Sequence, residues 1–352
     1  MSYRVAILGA GIGEQHLRGF EALTDRFSVS QICDLNTGLA EQLAARVGAK
    51  VTDRIDETLA DDDIDIIDVC LPPALHASVV RAALSHGKHV IVEKPITGSL
   101  IEADELVAAE MEAVGRIFPV FQYRYGRAID ALKRLEARGL LGVPQVATLE
   151  THWSRDADYY AIPWRGTWAR ELGGAVLSHA IHAHDLLTRA FGPVGEVSAM
   201  LATRINPIET EDCASIAFRL ANGALATSSI TLGAADNTSR LRLIYEHVTV
   251  ESGREPYAPG MTNWYFQARD SARQSEIDEV VGAVSFGHEG YAGLFAAIAD
   301  ALDGRPGAEV TLADGVASIE LVTAIYHAHR TSRAVKLPLD RALPIARTLR
   351  PT

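Results

Sequence analysis

The chain opens with a short apolar strand, Arg4–Leu8, that runs directly into the glycine-rich turn Gly9-Ala-Gly11-Ile-Gly13. A helical pattern follows the turn and extends to Ala22. Main-chain N–H groups at such a helix start bind the pyrophosphate of a dinucleotide, because glycine lets the ligand approach the backbone closely. The third glycine comes one residue earlier than in the usual spacing, and Glu14 takes its place. An ordinary glycine turn after a strand is therefore the alternative interpretation.

Strands and helices continue to alternate as far as about residue 121. This alternation is typical of βαβ units around a parallel sheet, and it predicts an α/β domain over residues 1–121. Further strands are predicted at Val29–Cys33, Asp65–Leu71 and His89–Val92, with helices at about 37–47, up to His86, and at Leu100–Met111.

The pattern changes beyond residue 121 to segments of alternating hydrophobicity with Gly, Asn and Asp between them. It predicts an α+β domain over residues 122–352, with a mostly antiparallel sheet whose other face is open. Strands are predicted at Gln145–His152, Val194–Ala202, Ala214–Leu220, Ala224–Thr231 and Leu241–Val250, and helices at Gly126–Arg138, Tyr291–Leu302 and Ala313–Arg330.

The charge balance excludes some classes of partner. The chain has 33 Lys and Arg residues against 45 Asp and Glu residues, a net charge of −12. A nucleic acid or an anionic membrane surface requires a basic footprint, so neither is expected as a partner. We find no apolar run of bilayer length and no signal-peptide pattern at the start. The three scattered cysteines form no CxxC motif, and we expect a reduced, cytoplasmic setting.

Asp34 ends the second predicted strand, where a carboxylate can accept hydrogen bonds from both hydroxyls of a ribose. Together with Gly9, Gly11, Ile12 and Gly13 it predicts a nicotinamide dinucleotide site. Neither Leu35 nor Asn36 supplies a cation for a 2′-phosphate, so NAD is preferred over NADP.

A charged pair, Glu93-Lys94, ends the predicted strand at His89–Val92 and is followed by Pro95. Residues that follow a parallel strand lie at the carboxyl edge of the sheet, where ligands bind in such folds. Proline restricts the backbone there, so Lys94 is presented in a defined position.

These residues belong to a set of motifs that resembles the glucose-fructose oxidoreductase, inositol dehydrogenase and MocA family over essentially the whole chain. The resemblance implies a Rossmann domain and an open-faced antiparallel sheet, with the active site between the two domains. It also implies reversible hydride transfer between NAD(P) and a hydroxyl carbon of a sugar, inositol or related polyol. The matching stretches are the glycine-rich start, Leu71-Pro72 to His76, Gly87-Lys-His-Val, Glu93-Lys-Pro95, Gly173-Gly174 to Asp185, Thr311-Leu-Ala-Asp-Gly, Ala324-Ile-Tyr and Arg333-Ala-Val.

The resemblance implies roles for individual residues. Glu93 would contact the nicotinamide ribose, and Lys94 would bind the reacting oxygen, where an ammonium group stabilises a developing alkoxide. Further cofactor contacts are expected from Leu71, Pro72, His76, Gln122, Trp164 and Arg165.

A catalytic histidine is expected after the glycine pair. His182 and Asp185 match the family's pattern, whereas Ser178 stands where the family has Asp or Asn. We predict one helix in which residues 178, 182 and 185 share a face, with His182 exchanging the hydroxyl proton. Serine can orient an imidazole but cannot stabilise an imidazolium. Either Asp185 supports His182, or His182 acts with Lys94 alone, which we prefer.

A metal site is the alternative for the same histidines. His179, His182 and His184 do not all face one way at this spacing, and hydride transfer needs no metal, so we predict none. We interpret His179 and His184 as core histidines, with His179 also a candidate substrate contact.

Aromatic and arginine side chains ahead of the glycine pair suit a carbohydrate pocket, although about half of such residues are expected in the core. The candidates are Tyr123, Arg124, His152, Tyr160, Trp164 and His179, with Lys94 and His182.

The leading hypothesis is therefore an NAD-dependent sugar or inositol dehydrogenase. The alternatives are a reductase of keto-sugars, anhydro-sugars or other carbonyl compounds, and a dinucleotide-sensing regulator of the same fold. The open sheet, which pairs subunits in this family, predicts a homodimer or homotetramer.

Overall fold

A computed structural model describes residues 2–285 and 287–351. The chain packs as two compact units, one of Met1–Gln122 and Gly290–Ile319, the other of Tyr123–Glu289 and Glu320–Thr352. The sequence predicts domains at residues 1–121 and 122–352, and this division remains a prediction. The packing adds the segment Gly290–Ile319 to the first unit.

The first unit contains a six-stranded parallel sheet in the order β3-β2-β1-β4-β5-β6. Helices connect its strands, so the predicted α/β fold is confirmed. The central strands are buried on both faces, which explains their continuous apolar sequences. The strands are β1 (Tyr3–Leu8), β2 (Phe27–Cys33), β3 (Lys50–Thr52), β4 (Ile66–Val69), β5 (His89–Val92) and β6 (Ile117–Pro119); the helices are α1 (Ala10–Glu21), α2 (Thr37–Val47), α3 (Ile55–Leu59), α4 (His76–Ser85) and α5 (Leu100–Glu112).

A helix from late in the sequence, α11 (Gly290–Leu302), packs against α1. The rings of Phe20 and Phe295 stack with centroids 4.0 Å apart. A Cβ atom at Gly19 would lie 2.8 Å from Phe295 Cε2, so glycine permits this close approach. The contact explains why the segment belongs to the first unit.

The second unit contains an eight-stranded sheet in the order β13-β12-β11-β7-β10-β9-β8-β14. It is antiparallel except where β7 pairs with β10, so the predicted mostly antiparallel sheet is confirmed. The predicted single strand Leu241–Val250 is wrong, because the chain reverses at Glu246-His247 and its two parts pair with each other. The strands are β7 (Pro144–Ser154), β8 (Val194–Ala202), β9 (Cys213–Leu220), β10 (Leu225–Thr231), β11 (Gly233–Tyr245), β12 (Val248–Glu251), β13 (Tyr265–Ala268) and β14 (Val335–Lys336).

Burial alternates along the strands β9 and β10, so one face of this sheet is covered and the other is exposed. Helix α9 (Ile181–Phe191) lies on the covered face, against β7. The division between the two units falls within α12, after Ile319. The remaining helices are α6 (Arg127–Ala137), α7 (Ala157–Tyr160), α8 (Ala175–Ser178), α10 (Gln274–Gly282) and α12 (Leu312–Thr331).

Across the described ranges, every helix falls short of the length and apolar character that crossing a bilayer requires.

Candidate active site

The glycine turn lies between β1 and α1, at the centre of the first sheet. Gly9 has φ +101°, and a Cβ atom there would lie 2.4 Å from the carbonyl oxygen of Cys70. A Cβ atom at Gly13 would lie 2.8 Å from Ile7 Cγ2, whereas at Gly11 it would meet nothing within 4 Å. Gly9 and Gly13 therefore let the helix pack on the sheet, and Gly11 leaves the helix start open to a ligand.

Asp34 lies beside this turn. Its Oδ2 accepts a hydrogen bond from the N–H of Ala10 at 2.7 Å, and Oδ1 accepts from Asn36 N–H at 2.7 Å. The order of the strands reverses between β1 and β4, where open α/β sheets bind nucleotides. The open helix start and the oriented carboxylate fit a dinucleotide, and Ile12 is 41% exposed at the same place.

His76 joins the two loops that follow β4 and β5. Its Nε2 lies 2.7 Å from the carbonyl oxygen of Leu71, and its Nδ1 lies 2.7 Å from that of Pro95. The buried ring is thus in contact with main chain on both sides. The predicted cofactor residues Leu71 and Pro72 lie in the first of these loops.

Glu93 and Lys94 follow β5 at the carboxyl edge of the sheet, and the Lys94–Pro95 peptide bond is cis. Glu93 is 6% exposed. Its Oε1 lies 3.1 Å from Nε2 of His16 and accepts from the Tyr291 hydroxyl at 3.3 Å. Its Oε2 accepts from the main-chain N–H of Lys94 at 3.0 Å. The predicted cofactor residue Gln122 donates to the same Tyr291 hydroxyl at 3.2 Å.

Sequence reasoning missed the residues around Glu93. His16 lies in α1, and its Nδ1 is 2.9 Å from Oδ2 of Asp68 in β4. Cys70 Sγ is 3.3 Å from the same nitrogen. One signal was available, because Asp68 is a charged residue inside the apolar strand Ile66–Val69.

The single helix predicted over residues 178–185 is wrong. Helix α8 ends at Ser178, and α9 begins at Ile181, so Ser178 does not continue the helix that carries His182 and Asp185. Ser178 Oγ donates to the carbonyl oxygen of Gly174 at 2.8 Å and lies 2.6 Å from Nδ1 of His179.

A buried carboxylate helps to position α8 separately. Glu211 accepts hydrogen bonds from the N–H groups of Gly174 at 3.2 Å and Val176 at 3.0 Å, and from the hydroxyl of Tyr326 at 2.8 Å. These tertiary hydrogen bonds attach the first turn of α8 to the neighbouring backbone. Burial raises the pKa of Glu211 to about 7, against the effect of these donors.

His182 is buried, and its ring stacks on the ring of Tyr123 with centroids 4.3 Å apart and planes 21° apart. The Tyr123 hydroxyl donates to the carbonyl oxygen of Pro256 at 3.1 Å. Arg124 forms two hydrogen bonds to Asp185, of 2.8 and 2.6 Å. The predicted residues Tyr123, Arg124, His182 and Asp185 are therefore close together, and Arg124 contacts a carboxylate one turn along the helix from His182.

A second group of predicted residues forms an aromatic cluster. The Tyr159 hydroxyl lies 3.3 Å from Nε2 of His179, and the His179 ring lies edge-on to Trp153 at 5.1 Å. The guanidinium of Arg165 stacks on the ring of Tyr159 at 3.7 Å. Tyr160 and Trp164 also contact the cluster, Tyr160 through the Tyr159 ring and Trp164 through Arg165.

His152 is not part of this cluster. Its Nε2 lies 3.0 Å from Ser229 Oγ on the exposed face of the sheet, whereas the adjacent Trp153 is buried on the covered face. His184 fits its interpretation as a core histidine. Its Nε2 lies 3.0 Å from Ser228 Oγ, and burial lowers its pKa to about 4.

Comparison with known proteins identifies the class. A family model for an oxidoreductase family with an NAD-binding Rossmann fold matches residues 3–121, and a model for the GFO/IDH/MocA C-terminal domain matches residues 129–251. The chain therefore belongs to the Gfo/Idh/MocA oxidoreductase family, as its motifs indicated.

Individual relatives agree with this assignment. An uncharacterized oxidoreductase of Schizosaccharomyces pombe is 32% identical over 220 residues, which cover 59% of this chain and 58% of that protein. The chain thus spans less than two thirds of the length of that relative. Myo-inositol 2-dehydrogenase of Thermotoga maritima is 27% identical over 244 residues, covering 67% of this chain and 69% of the relative.

A solved structure is similar over nearly the whole chain. The WlbA dehydrogenase from Bordetella pertussis, in complex with NADH and UDP-GlcNAcA, has a TM-score of 0.84 and 27% identity. The match covers 96% of this chain and 98% of that chain.

Proposed function

We propose that this chain transfers a hydride between NAD and a hydroxyl carbon of a sugar, inositol or related polyol. The observation that supports this most is the set of residues found at the carboxyl edge of the first sheet. The carboxyl ends of β1, β2 and β5 belong to one parallel sheet, and they carry the open glycine turn, Asp34 and the Glu93-Lys94 pair. A cofactor site and a candidate electrophile thus share an edge where such folds bind ligands.

The dinucleotide would bind along this edge. Gly9, Gly11 and Gly13 would receive the pyrophosphate, Asp34 the adenosine ribose and Glu93 the nicotinamide ribose. Leu71, Pro72, His76, Gln122, Trp164 and Arg165 are proposed as further contacts. When bound, the nicotinamide accepts or donates a hydride at its C4 atom. Leu35, which follows Asp34, is 90% exposed and carries no charge for a 2′-phosphate, which supports NAD over NADP.

Two residues of the chain would act on the substrate hydroxyl, one by binding its oxygen and the other by exchanging its proton. Lys94 would donate a hydrogen bond to the reacting oxygen and stabilise the alkoxide that forms as the hydroxyl proton leaves in oxidation, or as the hydride reaches the carbonyl carbon in reduction. His182 takes the hydroxyl proton in oxidation and returns it in reduction. The stacked Tyr123 ring restricts the His182 imidazole, and the Arg124–Asp185 ion pair fixes the helix next to it. The same groups operate in reverse for a keto-sugar, so the reductase alternative uses one site.

The aromatic cluster supports a carbohydrate as the substrate. Aromatic rings pack on the C–H faces of sugars while hydroxyl and guanidinium groups bind their oxygens. Tyr159, His179 and Arg165 supply both kinds of surface. Relatives whose names include an inositol dehydrogenase and a complex with a nucleotide sugar agree with this class.

The exposed face of the second sheet is proposed as a subunit interface. Apolar side chains at Met200 and Leu225 are exposed on it, at 72% and 48%. Pairing of this face with a second copy would give a homodimer or homotetramer.

The test is an assay of the purified chain with NAD and, separately, NADP against inositols, aldoses, anhydro-sugars and glycosides. We expect reduction of NAD by one polyol class, with an acid limb in the pH profile that changes in His182→Ala. The reverse assay uses reduced cofactor and keto-sugars. If no turnover is detected in either direction although calorimetry shows tight NAD binding, the result would contradict the proposal and favour the dinucleotide sensor.

A further inference from the structure

Three buried polar side chains and the half-buried Tyr291 form a network beneath the carboxyl edge of the first sheet. His16 of α1 lies between Asp68 of β4 and Glu93 after β5, and Tyr291 of α11 contacts Glu93. His16 and Asp68 are completely buried. Of these four residues, the proposed reaction uses only Glu93, and it assigns no role to the other three.

The hydrogen-bond geometry limits the charge states that are open to His16. Its Nδ1 lies 3.0 and 2.9 Å from the two oxygens of Asp68, and its Nε2 lies 3.1 Å from Oε1 of Glu93. An ionised carboxylate only accepts hydrogen bonds, so both ring nitrogens must donate to satisfy it. An imidazolium meets that requirement with both carboxylates ionised, whereas a neutral imidazole would require a protonated Glu93 that donates to Nε2.

The other groups around His16 agree with this charge. Burial opposes the imidazolium, but the adjacent Asp68 carboxylate raises the pKa of His16 well above its ordinary value. Burial raises the pKa of the Cys70 thiol to about 12, so Cys70 stays neutral. The ring of Tyr291 lies 4.6 Å from the His16 ring, at a distance that suits a cation beside an aromatic system.

We propose that His16 is a positioning residue, an imidazolium that keeps the Glu93 carboxylate ionised and oriented, with Asp68 as the anion that compensates its charge. Its link to the cofactor rests on the proposed function, because Glu93 is there the contact for the nicotinamide ribose. An ionised Glu93 only accepts hydrogen bonds, as two ribose hydroxyls require. The Tyr291 hydroxyl and Lys94 N–H limit its rotation.

His16, Asp68 and Cys70 also present one ligand atom each within 4.8 Å of one another, as a metal site would. The distances between Nδ1 and the carboxylate oxygens are those of a direct hydrogen bond. A metal ion would instead require Nδ1 without a proton. The proton on Nδ1 therefore distinguishes the two arrangements.

The experiment has one arm that needs no cofactor. Nuclear magnetic resonance of the full chain, with ¹³C-labelled Glu carboxyls and ¹⁵N-labelled His, follows Glu93 and His16 as pH changes. E93Q and H16Q identify the two signals by their loss. We expect both ring nitrogens of His16 to carry protons in the wild-type chain, and a Glu93 carboxyl that takes up its proton at higher pH in H16Q than in wild type. A His16 ring with an unprotonated nitrogen, or an unchanged Glu93 titration in H16Q, would overturn the proposal.

The second arm measures NAD affinity by calorimetry between about pH 5.5 and 7.5. Wild type should change little, whereas H16Q should lose about tenfold towards the acid end as Glu93 protonates. E93Q should be weaker at every pH and insensitive to H16Q. The control H184Q replaces a buried histidine of the second unit and should behave as wild type.

The two arms separate the possible failures. A wild-type chain that binds no NAD contradicts the proposed function, and the carboxyl titration still decides the role of His16. An H16Q chain that is less stable but has the NAD affinity profile of wild type would show a structural role only, and would overturn the proposal. If H16Q does not fold, D68N decides the question through the ¹⁵N signals of His16, because a ring without its compensating anion should lose a proton at lower pH than in wild type. An unchanged His16 titration in D68N would then overturn the proposal.

Discussion

His16 in the first unit and His184 in the second are both buried imidazoles, but their partners differ. Carboxylates contact both ring nitrogens of His16, and its pKa stays well above the ordinary value although burial opposes the charge. His184 has a serine hydroxyl on Nε2, and burial lowers its pKa to about 4. Both rings are buried, but the carboxylate partners favour a charged His16 ring, whereas His184, with only a hydroxyl partner, is neutral.

The buried glutamates show the same contrast. Glu93 lies against the His16 ring, whereas Glu211 contacts the Tyr326 hydroxyl and two main-chain N–H groups. Burial raises the pKa of Glu211 to about 7. The neutral donors around Glu211 therefore do not offset the effect of its burial, whereas Glu93 lies against a ring that can carry a positive charge.

Replacing the two histidines by leucine tests this contrast with the largest expected effect. His16→Leu removes the cation from between two carboxylates and should lower the free energy of unfolding by about 3–5 kcal/mol. His184→Leu leaves one hydroxyl without its partner and should cost about 1 kcal/mol. Denaturant unfolding of both variants measures the difference. Equal losses would show that the two imidazoles carry the same charge.

Glu211→Gln tests the second unit through pH. A carboxyl whose pKa is raised in the fold is most favourable when protonated. Its stabilising contribution is therefore complete below about pH 4.5 and declines until about pH 7. This decline amounts to about 3 kcal/mol in total. Unfolding measured from pH 4 to 8 should show a smaller decline in Glu211→Gln than in wild type. A decline of the same size would mean that Glu211 is ionised in the fold at low pH.

Asp34→Ala removes a carboxylate that acts at the surface of the first unit, so the expected effect is smaller. It should weaken NAD binding by about 1–2 kcal/mol, roughly the value of hydrogen bonds to a charged group. It should also narrow the preference for NAD over NADP. Calorimetry with both cofactors measures this change, and Asn36→Ala is a control beside it. Unchanged affinities would remove Asp34 from the cofactor site.

Local sequence signals were sufficient for most of the first unit. The glycine turn, Asp34 and Glu93-Lys94-Pro95 each belong to one strand and the residues directly after it, so spacing along the chain reflects their position in space. The network around His16 could not be predicted in this way. His16, Asp68, Glu93 and Tyr291 come from four elements, and only the tertiary packing brings them together.

The errors in the second unit have physical causes as well. The turn at Glu246-His247 contains none of the usual turn residues, so the alternating pattern runs through it without a break. The interruption between α8 and α9 accompanies hydrogen bonds from Gly174 and Val176 to Glu211, which lies far along the sequence. The hydrophobic periodicity of residues 178–185 cannot reveal a contact with a residue so far along the sequence.

Lys94→Ala separates the role of Lys94 in the reaction from cofactor binding, because turnover and NAD affinity are compared in one variant. Once the assay panel has identified a substrate, we expect NAD affinity within about threefold of wild type and turnover lower by about 10³-fold or more, because the ammonium group acts on the transition state. Lys50→Ala, an exposed lysine of β3, is the matched control and should retain full turnover. Turnover of Lys94→Ala at the wild-type rate would show that Lys94 does not act on the reacting oxygen.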